Sequence, residues 1–181
     1  MWLYIRQLLQ LLIGPTRGWE DISSAVRTHD EIFKRGFAPW ILIAGCAHFL
    51  KLLYDIDITF VRALQDAIVT SGGLFISNIV CRLFLEIGIS KNIDNKANTE
   101  KIAIITDYMI GLVGLYNIVR CAVPAEITPL YFMPLLSVFV IYNSTKFLGV
   151  KEDMVLSYTF LASVGTILVP IGACALLSLI I

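Results

Sequence analysis

The sequence predicts an all-α polytopic membrane protein: a five-helix transmembrane bundle preceded by an amphipathic helix lying in the membrane interface. Three observations predict it. The 181 residues are 57% hydrophobic and 15% charged, with a mean hydropathy of +0.80, whereas soluble domains carry about 25% charge. Apolar runs recur at the lengths needed to cross ~30 Å of hydrocarbon. The Lys and Arg residues crowd alternate connections, which is the signature of a chain threading a bilayer.

Residues 1–36 read as a cytoplasmic, interfacial helical segment. Trp2, Leu3, Ile5, Leu8, Leu9, Leu12 and Ile13 surround a narrow stripe of Arg6, Gln7 and Gln10. Thirteen helical residues rise only ~20 Å, too short to span, so this helix is expected to lie in the interface with Trp2 and Tyr4 at headgroup depth. It does not read as a signal peptide, because no basic residue precedes the apolar part. Gly14-Pro15 breaks the helix, and Pro15 can open a second one through Trp19 and Ile22. Ser23 to Gly36 is polar and basic, with Arg27, Lys34 and Arg35.

Five spans are expected at about 37–54, 67–89, 103–121, 130–148 and 155–181. Asp55 to Asp66 is expected as a loop or brief interfacial helix, Ser90 to Lys101 as a polar loop, Ala122 to Pro129 as a tight connection with Pro134 just inside the fourth span, and Gly149 to Asp153 as a turn. Pro170 and Gly172 should kink the last span. Counting compartments alternately, Arg6, Arg17, Arg27, Lys34, Arg35, Lys91, Lys96, Lys101, Lys146 and Lys151 fall on the N-terminal side, against Lys51, Arg62 and Arg120 on the other. The positive-inside rule then places the N-terminus in the cytoplasm and the C-terminus across the inner (plasma) membrane.

Several classes of chemistry lack their residues. Zero net charge gives no basic field for nucleic acid. Cys46, Cys81, Cys121 and Cys174 fall in apolar runs without paired ligand spacing and read as small packing residues. Asp55-Ile56-Asp57 looks like a metal-nucleotide acid pair but reads as a solvated loop face. His29 and His48 lack companions spaced for a metal, and no catalytic triad, phosphate loop or zinc-protease helix motif is present. The expectation is no enzyme, no cofactor and no metal. Gly72-Gly73, Gly111 and Gly114 are expected to allow close helix approach.

The polar interior is expected in the cytoplasmic leaflet. Asn78, Arg82 and Glu86 are four apart, hence on one helix face. At ~1.5 Å per residue, Asp107 on the third span and Asn143 and Lys146 on the fourth reach a similar level. Arg82 is expected to pair with Glu86 on its own helix and with Asp107 across the gap. Two readings stay open: a buried ion-pair lock between helices, or a vestibule for a headgroup, ion or proton.

Gly14-Pro15-Thr16-Arg17-Gly18-Trp19-Glu20-Asp21-Ile22, the run Tyr142 to Gly149, and the apolar final span together resemble the small polytopic membrane proteins of the Yip-domain family, bacterial type. The Asp-Leu-Tyr-Gly-Pro stretch of the eukaryotic members is absent. The resemblance implies a non-enzymatic membrane protein that works through partners. The leading expectation is therefore an adaptor or scaffold whose Trp19, Arg27, Lys34 and Arg35 meet a protein partner or membrane lipid. The alternative is a small-solute, ion or lipid pathway through the polar vestibule, in a homo-oligomer.

Overall fold

The structure, a computed structural model, describes residues 1–25, 27–89, 96–124 and 133–181. All regular structure among them is helical. Seven helices follow in order: α1 (Trp2–Ile13), α2 (Pro15–Ser24), α3 (His29–Leu53), α4 (Phe60–Ile89), α5 (Lys96–Ala122), α6 (Met133–Leu148) and α7 (Val155–Ser178). Among the described residues, four stretches are long and apolar enough to cross a membrane: His29–Leu53, Phe60–Gly88, Thr99–Ala122 and Glu152–Ser178. The fourth expected span is represented by α6, whose 16 residues rise about 24 Å. Its expected start, at 130, lies outside the described residues.

Several boundaries differ from expectation for identifiable reasons. α3 begins at His29, eight residues before the expected start of the span. Asp30 and Glu31 sit in its first turn, where acids complement the helix dipole, and Lys34 pairs with Asp30 one turn on, at 2.8 Å. A π-helical turn, Phe33–Phe37, carries the helix into the apolar run, and the last turns, Ala47–Leu53, tighten to 3-10 geometry. The segment expected as a loop from Asp55 to Asp66 shrinks because the Thr59 hydroxyl accepts the Arg62 N–H, at 3.2 Å, and so caps α4 early. α5 starts at Lys96 rather than 103; residues 90–95 of the expected loop, and 125–129 of the expected connection, lie outside the described residues. α6 ends in a Schellman turn: Val150 N–H bonds Thr145 C=O at 3.0 Å, and Gly149 takes φ 71°, the left-handed conformation glycine tolerates best.

α5 is the axis of the molecule. Every residue from 102 to 112 is buried, with α3, α4, α6, α7 and the N-terminal helices around it. Lipid tails are as apolar as leucine, so helices in a bilayer hold together through close approach and hydrogen bonds. Both are present. A β-carbon on Gly45 would strike Ser71 and the Ala67 carbonyl, and one on Gly73 would strike the Cys174 sulfur; α3 and α7 thus meet α4 at near-backbone contact. The Trp40 indole N–H donates to Gly111 C=O at 2.9 Å, the Cys81 thiol donates to Gly165 C=O at 3.0 Å, and Ser144 bonds Tyr158 at 2.8 Å. Cys46, by contrast, is exposed and fills no gap.

The N-terminal helices pack against the rest of the chain. α1 buries Tyr4, Gln7, Leu8 and Leu11, and α2 buries Gly18, Trp19 and Ile22. Their apolar members join one hydrophobic cluster with α5 and α6. The covered face of α1 packs on protein; Trp2, Arg6, Leu9 and Ile13 form the exposed one.

Candidate functional site

The site is centred on Asp107, midway along the buried face of α5, with no exposed surface. Its two carboxylate oxygens meet different helices. Asn78 of α4 donates its amide N–H to Oδ1 at 2.9 Å. His29, in the first turn of α3, places Nε2 3.3 Å from Oδ2. Oδ2 accepts no hydrogen bond in this geometry, so a proton on His29 Nε2 is what would join the two groups. Behind the carboxylate, the Tyr4 hydroxyl of α1 donates to the Asp107 backbone carbonyl at 2.7 Å, and the Tyr108 hydroxyl donates to Gln7 Oε1 at 2.6 Å. Burial first, and the Asp107 charge second, hold the Tyr4 phenol well above the ordinary tyrosine pKa, so Tyr4 serves only as a neutral donor.

His29 is the side chain that reaches outward. Its side chain is 21% exposed, and its backbone N–H donates to Glu100 Oε1 at 3.1 Å. An open cavity of about 490 Å³ lies over it, lined by Thr28, His29, Asp30, Arg82, Thr99 and Glu100. The His29 ring therefore stands between this cavity and the buried Asp107 carboxylate.

The residues expected to converge do so only in part. Asn78 and Asp107 are joined. Arg82 pairs with Glu86 at 2.9 Å, both side chains remaining 37% and 28% exposed, and lines the cavity without forming an ion pair with Asp107. Asn143 instead accepts from Thr16 at 2.9 Å, and Lys146 is exposed; neither joins the cluster. Trp19, expected to face a partner, is 3% exposed, with its indole N–H on Val140 C=O at 3.0 Å and its ring stacked on Phe147. Arg27, Lys34 and Arg35 are exposed. The functional residue that sequence reasoning passed over is His29. The signal was available: Ile32, Phe37, Trp40, Ile41 and Ala44 recur at helical spacing, and the same pattern extends back one turn to His29.

A second polar group sits at the opposite end of α3. His48 Nε2 meets Thr70 Oγ1 at 2.9 Å and lies 3.4 Å from the Asn117 amide, while Nδ1 faces Asp66 at 3.9 Å. Asp66 is also held by Arg62 at 3.3 Å. In the loop between α3 and α4, the Asp57 N–H bonds Asp55 Oδ1 at 3.2 Å, a local turn. Among the described residues no three His, Cys, Asp or Glu side chains gather as a metal would require.

Charge in a protein interior must be paired or hydrogen-bonded. Asp107 has the Asn78 amide on Oδ1 and the His29 ring facing Oδ2, an arrangement with room in its chemistry for a proton or a small cation between ring and carboxylate. Compared with known proteins, the chain matches no family model, no curated protein and no solved structure.

Proposed function

We propose that this chain is a multi-pass protein of the inner membrane that moves protons or small cations, using Asp107 and His29 as the binding station. The observation that carries the reading is a fully buried carboxylate whose second oxygen waits on a histidine lining an open cavity. Intramembrane ionisable residues are costly and are kept mainly where protons or ions travel. In this reading α6 is the fourth of five crossings, the chain enters from the cytoplasmic side, and the α1–α2 hairpin dips into the bundle with the exposed Trp2, Leu9 and Ile13 of α1 turned to lipid. Five crossings enclose little volume, so the working unit is an oligomer.

Flux in reconstituted vesicles tests it. Under an imposed gradient the wild-type chain should dissipate pH or accumulate a monovalent cation, and Asp107→Asn should abolish this while inserting normally. Flux equal to that of empty vesicles, or an unaffected Asp107→Asn variant, would sink the proposal.

The adaptor reading keeps one observation in its favour: Arg27, Lys34 and Arg35 are exposed on the N-terminal side, where basic groups meet anionic lipid or an acidic partner. It loses Trp19 as a contact, and with it part of the stretch that resembles Yip-domain proteins. Replacing the three cations by glutamine should release a crosslinked partner if this surface binds one; an unchanged crosslinking pattern would remove the reading.

A further inference from the structure

A second cavity, of about 370 Å³, opens at the end of the bundle away from the Asp107 cavity, between α5, α6 and α7. Its walls are mainly apolar, made by Leu112 and Val113 of α5 and by Ile167 and Ile171 of α7, with the hydroxyl-bearing Ser137 and Thr166 also in the lining. Leu12, at the end of α1, contributes to the inner lining. Tyr116 and Arg120 supply the polar edge. Arg120 lies two residues before the end of the span Thr99–Ala122, at headgroup level. Leu112 lies eight residues further in, about 12 Å deeper by helical rise. The cavity thus has a charged mouth and an oily interior along the membrane normal.

Three features narrow the occupant. The volume sits near the lower end of the range for small-molecule sites, about 300–1,000 Å³, which suits one chain rather than two. The mainly apolar walls carry no charged group below Arg120, and the Thr166 hydroxyl is already spent on Ala162 C=O, so a bare ion finds little to hold it there. Arg120 is exposed, and among the described residues it forms no ion pair with a carboxylate. A guanidinium without an acid at the mouth of an oily slot favours an anionic head, since its planar donors match carboxylate and phosphate. We propose that this cavity binds one acyl chain of an amphiphile with an anionic head group, the head meeting Arg120 and the chain lying against Leu112 and Ile167. The site lies at the far end from His29 and does not depend on proton or cation movement.

The full-length chain in discs of zwitterionic lipid, at alkaline pH, would be exposed to a photoactivatable palmitate and the labelled peptides mapped. Labelling should concentrate on residues 112–116 and 167–171. Unlabelled palmitate should compete, whereas cetyl alcohol, which has the same chain without the charge, and acetate, which has the charge without the chain, should not. Arg120→Gln should lower labelling about tenfold, the scale of a lost charge-assisted hydrogen bond, and Arg120→Lys should largely keep it. Leu112→Trp should abolish labelling by filling the slot. Should Arg120→Gln fail to fold, Leu112→Trp and the alcohol competition decide. Labelling spread evenly over lipid-facing residues, equal competition by cetyl alcohol, or wild-type labelling in a folded Arg120→Gln would mean an adventitious additive only and overturn the proposal.

Discussion

Asp107 is fully buried, Arg82 is 37% exposed, and that difference sets what each is worth. The Arg82–Glu86 pair is a half-solvated bond within one helix, of the kind that contributes less than about 1 kcal/mol. Arg82→Met should therefore leave thermal unfolding in detergent nearly unchanged. His29→Leu removes the ring that faces the buried Asp107 Oδ2 and should lower the unfolding midpoint more than Arg82→Met does, because it leaves a fully buried carboxylate oxygen without a polar neighbour. Equal damage from the two variants would contradict this ranking. Tyr4 gives a pH-dependent counterpart. Its folded pKa is raised above the ordinary value of 10.0, so the unfolded chain releases that proton first. The stability linked to Tyr4 is complete below about pH 10 and is lost as pH rises beyond it. Tyr4→Phe should cost about 1 kcal/mol at neutral pH and show a shallower alkaline loss than the parent; an identical alkaline slope would count against the buried phenol.

Among the elements, the α1–α2 hairpin departs most from its appearance in sequence. Gly14-Pro15 was legible as a break, and the two-faced character of α1 was legible from its spacing. What covers the face was not, because amphipathicity is the same whether the apolar side meets lipid or protein. The close crossing of the two helices settles it locally: a β-carbon on Gly18 would lie 2.8 Å from a Leu11 methyl and 3.0 Å from the Leu11 backbone. Gly18→Val should destabilise the bundle by about 1–3 kcal/mol, read as a lowered unfolding midpoint with insertion intact; no shift would mean the hairpin is not seated as described. The start of α3 was missed for a related reason. Asp30, Lys34 and Arg35 read as a polar connection, but they line the outer side of a helix whose inner side already carries Ile32 and Phe37. A helix that starts at 37 leaves His29 outside it; depth along the helices brings Arg82 near Asp107 but does not fix where its side chain points, and it turns to Glu86 while His29 faces the carboxylate.

For the whole molecule, composition and run length make apolar helices of membrane-crossing length legible, and spacing puts Asn78 and Asp107 on neighbouring helices, where the structure joins them. The orientation we propose rests on the distribution of Lys and Arg. In a background without cysteine, probes at Ser24→Cys and Glu152→Cys should react from one side of the membrane, and probes at Asp57→Cys and Ile181→Cys from the other; Ser24→Cys and Ile181→Cys reacting from the same side would overturn an odd number of crossings. The central claim is that Asp107 exchanges a proton with water on the N-terminal side by way of His29. Infrared difference spectra of the reconstituted protein between acid and alkaline buffer test it most directly. The account predicts a protonated-carboxyl band that is absent in Asp107→Asn and displaced in its titration by His29→Gln. A band that persists unchanged in Asp107→Asn would contradict it.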